Sequence, residues 1–95
     1  MKEIRLNKKD YLIYREGSGH TLEIFDIAVY GHRRSGVGTQ LFNILLKETT
    51  ETRIFAITRK ENEIAQQFYA KLGFIGYDLP KLYPDGDAMI YIYTR

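Results

Sequence analysis

The sequence predicts an α/β fold, with a mixed, mostly antiparallel sheet and two helices. Six short stretches are rich in branched and aromatic residues, which is typical of strands. Two longer stretches repeat apolar residues at helical spacing. The order of these stretches along the chain is β-β-β-α-β-α-β-β. Neighbouring strands at both ends predict antiparallel hairpins, and the strand–helix–strand unit in the middle predicts a parallel pair.

Three strands are predicted before the first helix. They are Lys2–Leu6, a weakly alternating edge strand, then Tyr11–Arg15 and Thr21–Val29. Polar turns separate them at Asn7–Asp10 and Gly17–Gly19. Because Thr21–Val29 is the longest and is apolar on both faces, we expect it near the centre of the sheet.

Both helices have signals at their ends or along one face. The first is predicted from about Gly36 to about Glu51, and its apolar face is formed by Val37, Leu41, Ile44 and Leu45. The second is predicted over Asn62–Leu72, because Asn62 is a good N-cap residue. Gly73 suits the left-handed residue that commonly ends a helix.

The remaining strands lie between and after the helices. They are predicted at Arg53–Thr58, Phe74–Leu79 and Ala88–Tyr93, with a turn over Pro80–Gly86. Alternation along the last strand places three large side chains on one face, Met89, Tyr91 and Tyr93.

Composition excludes several classes of function. The 95 residues predict one domain, residues 1–95, and the absence of cysteine excludes disulfides, thiolate nucleophiles and cysteine-containing zinc sites. The two histidines do not form an i, i+4 pair, so no metal site is expected. A net charge of +2 is too small to argue for nucleic acid, and the apolar runs are too short to span a membrane. With no signal segment in view, a soluble cytoplasmic protein is expected.

The segment between the third strand and the first helix is suited to binding a phosphate. The first turn of a helix has free backbone N–H groups and partial positive charge, and glycines there let a ligand approach closely. His32, Arg33 and Arg34 add basic groups next to Gly36 and Gly38. Neither the Rossmann nor the Walker A glycine pattern fits the sequence here. The remaining pattern is Arg-x-x-Gly-x-Gly.

A second motif, about thirty residues later, makes the pattern more specific. It reads N-x-x-A-x-x-F-Y-x-x-L-G-F and begins at Asn62. Together, in this order, the two motifs resemble the GNAT superfamily of N-acetyltransferases. The resemblance covers Leu22 to Phe74 well and the final hairpin more loosely.

The resemblance implies a binding site for acetyl-CoA, used as a co-substrate. Its pyrophosphate would lie on the glycine turn, at Arg33, Arg34, Ser35, Gly36, Val37, Gly38 and Thr39. The preceding strand would bind the pantetheine arm and the acetyl carbonyl through Ile27, Ala28 and Val29. Asn62 would contact the same molecule, although it could also serve only as an N-cap.

The resemblance also implies two catalytic residues. Tyr69 would be the general acid that protonates the departing thiolate, and Glu23 the general base by rough alignment. On the residues alone, Tyr69 fits a core position on the apolar stripe of the second helix, and Glu23 fits an exposed strand position. Asp26 lies on the opposite face from Glu23 in a regular strand, unless a bulge changes the alternation.

The chain departs from the family in one respect. Members of the family carry two helices between the first two strands, which form a wall of the acceptor site, and here only Asn7–Asp10 stands there. The acceptor side is therefore expected to be open, or covered by a second copy in a homodimer. The side chains of Met89, Tyr91 and Tyr93 would supply an apolar patch for this contact. The alternative is a monomer in which the helices bury these side chains.

Three functions remain after these arguments. The first is an N-acetyltransferase whose unknown acceptor is an amine, for example on a protein or peptide. The second is a module or sensor that binds acyl-CoA without efficient transfer. The third, a nucleic-acid-binding protein, ranks last because the eight tyrosines are spread over several elements. No membrane partner is expected.

Overall fold

The computed structural model describes residues 1–29 and 36–95. These residues form one six-stranded sheet with the strand order β1-β2-β3-β4-β6-β5, and two helices. The elements are β1 (Lys2–Arg5), β2 (Tyr11–Glu16), β3 (Thr21–Ala28), α1 (Val37–Glu48), β4 (Arg53–Arg59), α2 (Glu63–Lys71), β5 (Ile75–Tyr83) and β6 (Gly86–Thr94). Only the β3–β4 pair is parallel. The predicted fold class, the order of the elements and the interior position of β3 are confirmed.

Two elements, α1 and β5, end three or four residues away from the predicted positions, and the other elements end within one residue of them. Helix α1 stops at Glu48, and Thr49 is already extended. The Arg95 guanidinium donates hydrogen bonds to the carbonyls of Leu46 and Thr49, at 2.8 and 2.7 Å, which satisfies acceptors at the end of the helix. Strand β5 continues through Pro80 to Tyr83, because an edge strand tolerates a residue without an N–H group.

Both helices pack on the same face of the sheet, which we call the inner face. Residues with inner-face side chains are buried on β2, β3 and β4, and they include Leu12, Leu22 and Ile54. Aromatic rings complete the core: Phe42 of α1 lies 5.2 Å from Tyr93, and Tyr69 of α2 lies 5.9 Å from Tyr91, measured between ring centroids.

The last strand therefore corrects one prediction. Met89, Tyr91 and Tyr93 do share a face, but it is the inner face, and Tyr91 is only 7% exposed. They are part of the core or pack against it, so they form no exposed patch for a second copy. The opposite, outer face carries no helix among the described residues. The smallest dimension of the molecule, 23 Å, fits one sheet and one layer of helices.

The sheet opens between β3 and β4. These strands pair only where Thr21–Ile24 faces Arg53–Ala56. Beyond that point, β3 pairs only with β2, and β4 pairs only with β6. The facing edges of the two strands, Phe25–Ala28 and Ile57–Arg59, are therefore not bonded to each other.

A β-bulge in β3 lies at the start of this opening. Ile24 pairs with Tyr14 and Asp26 pairs with the preceding residue of β2, Ile13, which leaves Phe25 as the extra residue. The bulge changes the alternation, so Asp26 lies on the outer face together with Glu23. In a regular strand these two carboxylates would lie on opposite faces, but β3 is not regular at this point.

Candidate active site

A cleft of about 460 Å³ lies on the inner side of the opening between β3 and β4. Three segments line it: the end of β3, the start of α1 and one side of α2. The lining residues are Ile27, Val29, Gly36, Gly38, Thr39, Asn62, Ile64, Ala65, Gln67, Phe68, Tyr69 and Lys71. The cleft is therefore bordered by backbone at one end and by aromatic and apolar side chains at the other.

The start of α1 presents uncapped backbone donors to the cleft. Gly36 is the N-cap residue, with φ 77°, and no side chain in the described part of the chain accepts a hydrogen bond from the first turn. The first turn also has no acidic residue. The first helical bond among the described residues is donated by the N–H of Gln40 to the carbonyl of Gly36, at 2.9 Å. The N–H groups before Gln40 are thus available to an anion, which the helix dipole also favours.

The two glycines at this helix start have different roles. A Cβ on Gly36 would meet no atom of residues 1–29 or 36–95 within 4 Å, and Gly36 lines the cleft. A Cβ on Gly38 would lie 2.6 Å from Cε1 of Phe68. Gly38 is therefore required for the close packing of α1 against α2, a reason that the sequence motif did not reveal. A valine at 38 would displace Phe68 as well as obstruct a ligand.

Asn62 is the N-cap of α2 and also lines the cleft. Its Oδ1 accepts a hydrogen bond from the backbone N–H of Ala65 at 3.2 Å. The Asn62 Nδ2 donates to no group in the described part of the chain and can reach a ligand. The N-cap role and the ligand-contact role are compatible, because they use different atoms of the same amide.

Tyr69 is both a core residue and part of the cleft wall. It is 4% exposed, and its ring lies 5.3 Å from Phe68 and 5.2 Å from Phe74. Burial, and to a smaller extent the negative charge of Asp26, raise the pKa of the Tyr69 phenol. The phenol is therefore protonated at neutral pH and can act as a donor. No hydrogen bond to its hydroxyl is formed by the described residues.

A second hydroxyl near the opening is also without a partner. Thr58 lies on the part of β4 that does not pair with β3, and it faces the inner side, as does its partner Met89. It is buried, and Oγ1 has no hydrogen-bond partner within residues 1–29 and 36–95. An unpartnered buried hydroxyl costs free energy, and Thr58 lies behind the cleft rather than in its lining. Nothing in the sequence pattern distinguishes Thr58 from an ordinary strand residue.

The two carboxylates on β3 have different surroundings. Oε1 of Glu23 accepts hydrogen bonds from Nε and Nη2 of Arg15, at 3.0 and 2.7 Å. Glu23 lies where β3 is still paired with β4, opposite Phe55, and it does not line the cleft. Asp26 lies beside the opening, is exposed, and forms no ion pair with a described residue. Asp26 is therefore the carboxylate closer to the chemistry that Tyr69 could perform.

The structure brings together most, but not all, of the residues expected to bind the co-substrate. Ile27, Val29, Gly36, Gly38, Thr39 and Asn62 line the cleft, and so does Tyr69, the expected general acid. Val37 instead packs against the core, and Ala28 pairs with Tyr11 on the outer face. Arg33, Arg34 and Ser35 lie outside the described residues.

Sequence reasoning missed one side of α2. Ile64, Gln67 and Lys71 line the cleft, together with Phe68, which was predicted to be only a core residue. Ile64, Phe68 and Lys71 are spaced at i, i+4 and i+7, so helical periodicity could have placed them on one face. The shared face was not recognised because it mixes apolar and charged residues, whereas one face of a helix is normally identified from its apolar residues alone.

The described residues form no cluster of three or more histidine, cysteine or acidic side chains that could hold a metal ion. In the same part of the chain, no helix is long and apolar enough to cross a bilayer.

Comparison with known proteins places these features in a family. The family model described as acetyltransferase (GNAT) family matches residues 4–74. Ard1 from Thermoplasma volcanium is 27% identical, with a TM-score of 0.77, and the match covers 90% of this chain and 62% of that one. The ribosomal-protein-S18-alanine N-acetyltransferase from Escherichia coli is 25% identical, with a TM-score of 0.74 and coverage of 96% and 64%.

A third structure is similar in fold at lower identity. It is a protein from Bacillus anthracis described as a streptothricin acetyltransferase, in complex with acetyl coenzyme A. It is 24% identical, with a TM-score of 0.83 and coverage of 92% of this chain and 56% of that one. The chain thus spans 56% to 64% of the length of these three proteins. Comparison with curated proteins gives no significant match.

Proposed function

Because the chain belongs to the GNAT acetyltransferase family, we propose that it moves an acetyl group from acetyl-CoA directly to an amine. The observation that carries the proposal is the cleft. It joins the uncapped N–H groups of α1 to the opening between β3 and β4, beside which Tyr69 and Asp26 interact electrostatically. The start of α1 suits a pyrophosphate, and the opening between β3 and β4 suits a thioester. With no cysteine in the chain, no thiol can carry the acetyl group between them.

The residues of the cleft would hold the co-substrate along its length. The start of α1 would bind the pyrophosphate through backbone N–H groups, together with the basic residues Arg33 and Arg34. The unpaired edge of β3, from Ile27 to Val29, would bind the arm and the acetyl carbonyl through backbone groups. The Nδ2 of Asn62 offers a further polar contact.

Two side chains would move the protons. Acetyl-CoA supplies an activated thioester, and the amine must be neutral when its nitrogen attacks the carbonyl carbon. We propose that Asp26 takes a proton from the ammonium form of the acceptor, which leaves the neutral amine to attack. The second proton, lost from the nitrogen as the C–N bond forms, passes to solvent. Tyr69 would donate a proton to the departing thiolate as the C–S bond breaks. Glu23, whose carboxylate is bonded to Arg15, remains the alternative base.

The acceptor is proposed to be an amine of a protein or peptide. Asp26 lies on the outer face, so the amine would approach through the opening from the side opposite the helices. No helix of the described chain covers that side, and an uncovered surface suits a large acceptor better than a small one. The Escherichia coli relative is named for an alanine of a ribosomal protein, which supports this choice. A cytoplasmic location stays a prediction.

A screen for thiol release from acetyl-CoA tests this function. The protein is expected to release free coenzyme A only when a peptide or small amine is added, with the acetylated product seen by mass spectrometry. A module that only binds acyl-CoA is the second candidate, and the Glu23–Arg15 ion pair favours it by occupying the residue predicted as base. Tight acetyl-CoA binding in calorimetry, without release in the presence of any amine, would select the binding module.

The two candidate bases can be separated by matched amide substitutions. Asp26→Asn is expected to lower kcat/KM by about 10²-fold at neutral pH, since general bases contribute about 10²–10⁴-fold. The loss should shrink as the pH rises, because an amine that is already neutral needs no base. Glu23→Gln is expected to keep nearly full turnover, because the Glu23 carboxylate is bonded to Arg15 and lies where β3 and β4 are still paired.

The pH–rate profile of each variant gives the result. A loss in Glu23→Gln that high pH restores, with Asp26→Asn unaffected, would reassign the base to Glu23. An equal acetyl-CoA affinity in both variants confirms that neither change disturbs the cleft.

A further inference from the structure

The outer face of the sheet carries two rows of apolar side chains in register. On neighbouring strands, Phe55 pairs with Ile92 and Ile92 with Ile75, while Ile57 pairs with Ile90 and Ile90 with Tyr77. Side chains that pair directly across a sheet point to the same side. We call these six residues the outer patch: Phe55, Ile57, Ile75, Tyr77, Ile90 and Ile92.

The outer patch is open to solvent on the described chain. Ile75 is 61% exposed and Tyr77 is 52% exposed, and the other four are partly exposed. A sheet face that remains in water normally alternates to polar residues. Six adjoining apolar residues therefore indicate that something covers this half of the face.

The other half of the outer face, on β1, β2 and β3, is charged. It holds the Glu23–Arg15 ion pair, and the Arg5 guanidinium lies over the Tyr11 ring at 4.7 Å from its centroid. The exposed apolar side chain there, Phe25, lies near Arg15, at 6.0 Å from the ring centroid. Covering these charges would require their desolvation. A partner should therefore contact the outer patch and leave the charged half in water.

We propose that the outer patch binds the outer patch of a second copy of this chain, with the two sheets packed face to face around a two-fold axis. A two-fold contact requires a surface that complements itself, and a flat apolar face does so. Two sheets pack in this way about 10 Å apart, with their strands nearly aligned. This inference does not rest on acetyl transfer.

The size of the outer half-face indicates how stable the dimer is. Strands β5 and β6 have nine residues each, which makes them about 30 Å long, and three strands are about 15 Å wide. A contact over the whole half-face, with Arg53 and Arg59 at the ends of β4, would bury at most about 450 Å² on each copy, or about 900 Å² in total, against the ~1,000 Å² that a specific interface needs. The dimer should be weak and should depend on protein concentration.

This arrangement would leave the opening between β3 and β4 accessible. Phe55 and Ile57 form the edge of the outer patch next to that opening, and Asp26 lies on the far side of it. The second copy would thus form a wall beside the place where an acceptor enters. This wall would lie on the outer face, which carries no helix of the described chain.

Sedimentation equilibrium of the full chain tests the proposal. Between about 1 µM and about 1 mM, a range that brackets a weak complex, the average mass is expected to rise from 11.1 kDa towards twice that value. The variant Ile75→Lys/Tyr77→Lys changes two exposed side chains, so the monomer should still fold. It is expected to weaken dimerisation at least about 100-fold, because two like charges would be desolvated on each copy.

Phe25→Lys is the matched control. It adds a lysine at a position 56% exposed on the same face, but in the charged half. It is expected to dimerise like the wild type, with all variants giving the same circular dichroism spectrum. A single species of 11.1 kDa at every wild-type concentration would overturn the proposal. So would unchanged dimerisation in the patch variant, or an equal loss in Phe25→Lys.

Discussion

Replacing Tyr69 by Phe is expected to lower kcat by about 10²–10⁴-fold, the usual contribution of a general acid. The change removes only the hydroxyl, which forms no hydrogen bond within the described residues. The ring keeps its contacts with Phe68, Phe74 and Tyr91, so the free energy of unfolding should change little. Acetyl-CoA affinity, measured by calorimetry, should also stay close to that of the wild type.

Tyr91→Phe is the matched control for this experiment. Tyr91 belongs to the same aromatic cluster, but its hydroxyl donates a hydrogen bond to Oε1 of Gln66 at 3.3 Å instead of facing the cleft. We expect the Tyr91 variant to lose some stability and to keep its turnover. Native turnover in Tyr69→Phe would mean that Tyr69 is a packing residue and that another group protonates the thiolate.

The second large effect is expected at the start of α1. Gly36→Asp would place a carboxylate where the proposed pyrophosphate binds, and two like charges about 4 Å apart near a surface repel by ~4 kcal/mol. We expect acetyl-CoA binding to weaken at least about 100-fold, which corresponds to ~2.7 kcal/mol. The substitution adds some backbone strain, because φ at Gly36 is 77°, but aspartate tolerates the left-handed backbone better than most residues.

Gly36→Asn separates charge from size. Asparagine has the same shape and the same tolerance for positive φ, but no charge, so it should bind acetyl-CoA more tightly than the aspartate variant. Calorimetry at two salt concentrations adds a check, since the difference between the variants should shrink as salt increases. Equal affinity of the two variants would show that no phosphate lies at this helix start.

The sequence was sufficient for the fold because local signals and the global arrangement agree. Alternating strands, the Asn62 cap and the left-handed Gly73, with φ 99°, appear in the structure where they were predicted. The prediction that α1 continues to about Glu51 was wrong. The helix ends at Glu48, and the side chain that satisfies its last carbonyls is that of Arg95. Nothing near residues 46–51 in the sequence indicates such a distant side chain.

The site was predicted less completely, for physical reasons that concern register. A motif assigns positions along the chain, but it cannot count an extra residue in a strand. The bulge at Phe25 turned Asp26 to the same face as Glu23, and only the pairing with β2 reveals this. The same limit applied to the last strand, whose periodicity grouped Met89 with Tyr91 but could not say which face the helices cover.

The contact between Gly38 and Phe68 has a consequence for ligand selection. Gly38 belongs to the turn that would hold the phosphates, and Phe68 precedes the tyrosine that would protonate the sulfur. Because no larger residue fits between them without displacement, the close approach of the two helices depends on glycine at position 38. The distance from a bound phosphate to the reacting sulfur would then be set by the protein rather than by the ligand. A thioester on a shorter or longer arm would bind with its reactive end out of place, so the cleft should select its donor by length.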